Sequence, residues 1–232
     1  MLRVSSSPFL TFIFPPICLA CRSSHETGSS IVCPECASRL NRVHETDLIY
    51  RQTLDALSSD GCLDALVVPY YFEKDGPLQH LIHELKYNGM TAVGERFGGE
   101  LGKMLQGRFS PALSGLVIPV PLHRVKLRER GYNQAECISK GIARTLNLPL
   151  LGKAACRVTY TQSQTSLTRV QRAKNVENVF SVPTKKRAML RGQTILLIDD
   201  VITTGATMRS CAQALRDGEA KSVIACAIAL AL

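Results

Sequence analysis

The chain predicts an α/β fold: a mainly parallel sheet flanked by helices, with a small cysteine module at the N-terminal end. Three observations carry this. From Leu66 onward, short apolar runs alternate with segments of helical spacing. One apolar run, Ile195–Ile198, passes through Asp199-Asp200 into a Thr/Gly turn and a further amphipathic stretch. Ahead of both stand two knuckles, Cys18-x2-Cys21 and Cys33-x2-Cys36. Alternation of strand and helix implies parallel strands covered on both faces.

The 232 residues suffice for one α/β domain of ordinary size and an appendage. We divide them into a four-cysteine module of double zinc-ribbon type (1–45), a polar, irregular connector up to residue 65, and the α/β domain (66–232). In the module, each knuckle places two thiolates on one side of an ion. Four such ligands suit structural, tetrahedral Zn2+ and leave no open position for metal catalysis. A segment with so little core also needs a staple. A redox pair, an iron–sulfur cluster or free thiols are the alternatives. The total of nine cysteines is odd, and the remaining five are scattered among apolar neighbours, so no disulfide framework is present and a reducing cytoplasm fits. Residues 8–21 superficially resemble an export signal. Two prolines interrupt the apolar run, however, and cleavage at Cys21 would split a knuckle, so an apolar arm packed on the main domain is expected. No apolar run reaches the ~18 residues of a membrane span.

The elements of the domain follow in order. Leu66–Phe72 reads as a strand. Leu78, Leu81, Ile82 and Leu85 have helical spacing, stopped by Asn88-Gly89. A second helix covers Val93–Leu105, and Leu116–Val120 is a strand ended by Pro121. His123–Gly131 reads as a basic loop carrying Arg124, Lys126, Arg128 and Arg130. Helical spacing resumes at Ala135, Ile138, Ile142 and Leu146. Residues 154–160 and 179–182 read as strands on either side of a second basic stretch, 163–178. Lys185-Lys186-Arg187 forms an exposed turn before the Ile195 strand. Met208, Cys211 and Leu215 give the last helix its inner face, Gly218 ends it, and Ser222–Leu230 is the final strand.

The Ile195–Thr207 segment carries the chemistry. Backbone N–H groups at a helix start have no internal partners and sit at the positive end of the helix dipole, so they bind phosphate. Gly205 lets the backbone approach a ligand, Ala206 adds a backbone amide, and Thr203, Thr204 and Thr207 add hydroxyl donors. Asp199 and Asp200 can accept hydrogen bonds from vicinal ribose hydroxyls or hold a hydrated divalent cation. Because neighbouring strand residues point to opposite faces, one of the two should do most of this work. Arginines suit pyrophosphate through bidentate contacts. Arg128 and Arg130, with the amides of Asn133 and Gln134, form one basic cluster after a strand end; Arg169 and Arg172 belong to the second. A net charge of +9 is compatible with phosphorylated ligands or nucleic acid without choosing between them. Aromatic residues at 6% offer few stacking platforms for single strands.

Taken together, Pro119-Val120-Pro121-Leu122-His123, Arg130-Gly131-Tyr132-Asn133-Gln134, Arg169-x2-Arg172-x2-Asn175 and Asp199–Thr207, behind a double knuckle, resemble the ComF/GntX family. The last segment is similar to the phosphoribosyl-pyrophosphate (PRPP) motif of type I phosphoribosyltransferases. The resemblance implies a type I phosphoribosyltransferase-like fold with a zinc ribbon. Thr203 to Thr207 would hold the 5′-phosphate, Asp199 and Asp200 would act at the ribose 2′- and 3′-hydroxyls, and Mg2+ would lie on the pyrophosphate side. Arg128–Gln134 would face the pyrophosphate, and Gln164–Asn175 would close over it. It also implies a cytoplasmic bacterial protein, required in some species for moving incoming single-stranded DNA during natural transformation. Its partners would then be PRPP or another ribose phosphate, single-stranded DNA and other DNA-uptake proteins. No acceptor nucleophile is recognisable, so three readings follow: a PRPP-binding phosphoribosyltransferase linked to DNA uptake or nucleotide metabolism, a single-strand-binding adaptor without transferase activity, or a phosphoribosyltransferase fold serving only as a protein-interaction scaffold. The chain departs from the family at Gly218-Glu219-Ala220, where Gly-Ala is usual; this touches a helix exit rather than the ligand site.

Overall fold

The computed structural model describes residues 17–25, 31–109, 113–157 and 179–232. The whole of the second basic stretch, 163–178, with Arg169 and Arg172, and the start of the N-terminal apolar arm lie outside the described residues.

The centre is a parallel sheet of β1 (Ala65–Val67), β2 (Tyr70–Phe72), β3 (Leu116–Pro119), β6 (Thr194–Ile202) and β7 (Ser222–Ala231). A short antiparallel ladder, β4 (Cys156–Arg157) with β5 (Phe180–Ser181), stands apart. The sheet runs β1–β7–β6–β3, with β2 also on β7. The strand expected over 66–72 is broken because Pro69 has no N–H to donate. Its two halves pair with separate stretches of β7, at Ile224–Cys226 and Ala229–Ala231. β7 is buried on both faces along all but its ends, which explains its unbroken apolar sequence.

Helices cover both faces. Leu196, Ile198 and Cys226 pack with α3 (Pro77–Tyr87), α4 (Thr91–Phe109) and α6 (Gln134–Leu146). On the opposite face Ile195, Leu197 and Ala225 pack against α2 (Leu48–Ser58), α7 (Thr184–Leu190) and α8 (Ala206–Asp217). Helices α4 and α6 cross at glycines: a Cβ on Gly98 would stand 2.0 Å from the Ile138 carbonyl oxygen, and one on Gly141 would stand 2.1 Å from that of Glu95. The cysteine module, with α1 (Pro34–Ser38), packs Cys18, Cys33 and Cys36 into the α3/α4 side of the core.

Three expectations are corrected. The connector holds α2, anchored by buried Tyr50 and Leu57. The basic loop after β3 is a helix, α5 (Arg124–Arg130), with no buried residue. His123 caps its start by accepting from the Val125 N–H at 3.3 Å, and Gly131 closes it at φ 81°. Arg128 and Arg130 in its last turn suit the negative end of the dipole. The Lys185–Arg187 turn is likewise helical, within α7, held by its single buried residue Leu190. In all three cases polar composition masks short helices fixed by caps or by one or two anchors. Among the described residues no helix is long and apolar enough to cross a membrane.

Candidate functional site

β6 and β3 end side by side at the C-terminal edge of the sheet, where open α/β sheets place their ligands. Two connected hollows form there. A cleft of about 210 Å³ is walled by Lys86 and Tyr87 from α3, Val120–Leu122 after β3, Lys126 and Arg130 from α5, Gln134, Arg157, Asp199, Asp200 and Thr207. A smaller hollow of about 40 Å³ is lined by Asp199, Val201–Thr203 and Gly205–Met208. Asp199 and Thr207 belong to both. A larger cavity of about 330 Å³ lies elsewhere, between α2, β1 and α4; its one arginine, Arg108, is already paired with Glu45 at 2.8 Å.

The turn from β6 into α8 is exposed at Thr203, Thr204, Ala206 and Thr207. Gly205 is the N-cap of α8 at φ 72° and brings no capping side chain; the Ala206 N–H donates to Thr204 Oγ1 at a long 3.5 Å. The start of this twelve-residue helix, Gly205 to Met208, lines the small hollow, which places the positive end of the helix dipole there. Gly205 is required twice over: its backbone is left-handed, and a Cβ would lie 2.4 Å from Leu57 Cδ2 of α2.

At the strand end both acids reach the ligand space, where strand alternation alone would send one of them away. Asp200 is buried and pairs with Lys86, Nζ to Oδ2, at 2.6 Å. Its Oδ1 accepts from the Val201 N–H at 2.9 Å. Asp199 is partly buried and accepts from the Asp200 N–H at 2.8 Å. Burial, and after it the charge of Asp200, push the Asp199 carboxyl well above the usual carboxylate range.

On the facing wall, Lys126 and Arg130 line the cleft while Arg128 does not. The reason is helical spacing: positions four apart share a face, and the position midway between them points away. Arg130 donates to Gln134 Oε1 and lies over the Tyr87 ring at 5.3 Å. Asn133 is occupied in holding the scaffold. Its amide nitrogen donates to the Val120 carbonyl at 2.9 Å and its Oδ1 accepts from the Ala135 N–H at 3.0 Å, tying the end of β3 to the start of α6. Tyr132 donates to the Leu85 carbonyl and so ties the α5–α6 turn to the last turn of α3.

Sequence reasoning missed Lys86, Tyr87 and Arg157. Lys86 and Tyr87 close an amphipathic helix in the usual way for a basic last turn, and nothing local marks them as facing Asp200. Only the packing of α3 beside β6 brings them there.

The four knuckle sulfurs, of Cys18, Cys21, Cys33 and Cys36, lie within 4.8 Å of one another. Tetrahedral zinc with Zn–S bonds of ~2.3 Å sets sulfurs about 3.8 Å apart, and Cys21 Sγ and Cys33 Sγ are 3.8 Å apart. The Cys33 N–H points to Cys18 Sγ at 3.3 Å and the Cys36 N–H to Cys33 Sγ at 3.4 Å, donors that stabilise thiolates. Hydrogen bonds from Ser23 bring the Cys21 thiol down to about 6. The set could hold zinc.

The fold is that of a type I phosphoribosyltransferase-like domain, and the model of the phosphoribosyl transferase domain matches residues 135–231, from α6 to β7. Over most of its length the chain is a homologue of competence and DNA-utilization proteins. It is 27% identical to Competence protein F of Haemophilus influenzae, covering 86% of this chain and 90% of that one. It is 28% identical to DNA utilization protein YhgH of Escherichia coli strain K12, covering 91% and 96%. Competence protein ComFC of Bacillus subtilis is 26% identical, covering 89% and 81%. The resemblance to the ComF/GntX family read from the motifs is borne out.

Proposed function

We propose that the cleft binds PRPP with its Mg2+, or a closely related ribose phosphate, in a protein of bacterial DNA uptake. The observation that carries this reading is the sharing of Asp199 and Thr207 between the two hollows. Carboxylates that accept from ribose hydroxyls and helix-start amides that donate to a phosphate thereby face one continuous space, with cations opposite. The 5′-phosphate sits on the Thr203–Thr207 turn and the ribose 2′- and 3′-hydroxyls donate to Asp199 and Asp200. The pyrophosphate points toward Lys126 and Arg130, whose charges stabilise it as a leaving group. Bound Mg2+ supplies further neutralisation on that side. In this reading residues 1–45 form a zinc-stapled module and 66–232 the phosphoribosyltransferase-like domain, acting in the cytoplasm. The names of the relatives, competence and DNA utilization, support the link to DNA.

Calorimetric titration with PRPP/Mg2+ and with a single-stranded oligonucleotide tests the reading in wild type and in Asp199→Asn/Asp200→Asn. PRPP binding that is lost in the double variant supports it. Silence toward PRPP, with salt-sensitive oligonucleotide binding that survives the substitutions, sinks it and leaves the adaptor without transferase activity.

A further inference from the structure

The hollow of about 330 Å³ between α2, β1 and α4 shares no lining residue with the ribose-phosphate cleft. Its wall is mostly apolar: Val43, Leu66, Val67, Val68, Met104 and the ring of buried Tyr50. Three polar side-chain groups complete it. The Tyr50 hydroxyl is spent on the scaffold, donating to the Leu66 carbonyl at 2.7 Å. Arg108 Nη1 donates to the same carbonyl at 3.0 Å and to the Tyr50 oxygen at 3.3 Å, and pairs with Glu45 Oε1 at 2.8 Å. All these bonds leave from Nη1. The other edge of the guanidinium, Nε and Nη2, makes no hydrogen bond to the described residues.

Glu45 is the loosest part of this arrangement. It stands on the coil before α2 with its side chain 64% exposed, against 32% for that of Arg108. An ion pair so open to water is weak and exchanges readily. The chain thus holds a tethered carboxylate against the one cation of an otherwise apolar hollow. Because the two charges balance, the hollow offers no surplus for a polyphosphate. A monocarboxylate that takes the place of Glu45 keeps the balance and can engage the open edge of the fork as well. Its apolar body then meets the wall, with partly exposed Met104 at the rim.

We infer that this hollow is a second ligand site, for a small amphipathic monocarboxylate that displaces Glu45 from Arg108. The inference is independent of the ribose-phosphate reading, since neither residue reaches the cleft.

Calorimetry with octanoate and with 1-octanol, on wild type, Arg108→Met and Glu45→Gln, tests it. Octanoate should bind wild type about tenfold tighter than octanol, through the charge-assisted bonds. Arg108→Met should abolish that preference and leave octanol within about twofold. Glu45→Gln should tighten octanoate about threefold, because the internal competitor loses its charge, and leave octanol unchanged. A purely structural ion pair would not produce that gain. Equal binding of the two probes to wild type, or octanoate weakened by Glu45→Gln, overturns the site; these two readings decide even if Arg108→Met does not fold. Silence toward both probes also overturns it, and a dimer that Met104→Glu dissociates in sedimentation would then give the hollow to a second copy of the chain.

Discussion

Breaking the Lys86–Asp200 ion pair should destabilise the fold more than any other single charge removal at the cleft. At 2.6 Å, and with an effective dielectric near 20, the gross attraction is about 6 kcal/mol. Desolvation offsets much of it, but removing one partner strands the other. The Asp200 side chain is only 7% exposed and that of Lys86 24%. Lys86→Met therefore leaves a buried carboxylate without its counter-ion, at a cost near the lower end of the buried-pair range, about 3 kcal/mol. Asp200→Asn is milder, about 1 kcal/mol, because the freed ammonium can swing into water on its flexible stem. The double variant removes both charges and should cost less than the two singles together, giving a coupling of about 2 kcal/mol. Equilibrium urea denaturation of the four proteins, with zinc present and slopes compared, measures this directly. A coupling below about 0.5 kcal/mol would refute the pair as an energetic link between α3 and β6.

Three other outcomes follow from the same geometry. Gly205→Ala forces a left-handed backbone on an L-residue and drives its Cβ into Leu57, so it should lower stability by ~2 kcal/mol or more and abolish phosphate binding; unchanged PRPP affinity by calorimetry would contradict the proposed role of the turn. Asp199, whose carboxyl is raised by burial and by Asp200, must be ionised to accept two hydroxyls, so PRPP affinity should fall as pH drops through that raised value, well above the ordinary carboxylate titration. The sign for folding is opposite: the fold binds this proton more tightly than the unfolded chain, so stability falls as pH rises through the window. Asp199→Asn should therefore raise the Tm at pH 7, with the gain vanishing below both values; a lower Tm at pH 7 would contradict the upward shift of the Asp199 carboxyl. For the knuckles, one zinc per chain by metal analysis is expected, and each of Cys18→Ser, Cys21→Ser, Cys33→Ser and Cys36→Ser should lower metal content and Tm together; full stability in a metal-free sample would exclude a structural ion.

What is legible in the sequence is what is contiguous in it. The run from Ile195 to Thr207 contains its own strand, acids, glycine and helix start, so the turn proposed to hold a phosphate can be written down without a fold. The knuckles are legible for the same reason, since their ligand geometry is set by two-residue spacings. Lys86 and Tyr87 are not, because their role depends on α3 packing beside β6 and on Tyr132 reaching the Leu85 carbonyl, contacts between segments far apart in the chain. The α5 helix is hidden for a different reason. A seven-residue helix with nothing buried has no apolar periodicity to detect, and only its caps, His123 and Gly131, betray it. Reading it as a loop also groups Arg128 with Arg130, two positions that a helix sends in different directions.

The cysteine module and the cleft share α3. Arg22, at φ 66° in the turn just past Cys21, pairs with buried Glu84. The same Glu84 oxygen accepts from the Asn88 side chain at 2.9 Å, and the Glu84 carbonyl accepts from the Asn88 and Met90 N–H groups. Glu84 thus clamps the turn that ends α3, two residues from Lys86 and three from Tyr87. A buried carboxylate is costly unless paired, and here its cationic partner is supplied by the knuckle. The module therefore contributes more than its own small core: it neutralises the charge that fixes the helix end from which Lys86 meets Asp200. Loss of the knuckle should loosen that end first, which makes the Lys86–Asp200 coupling energy a sensitive local gauge of whether the module is folded.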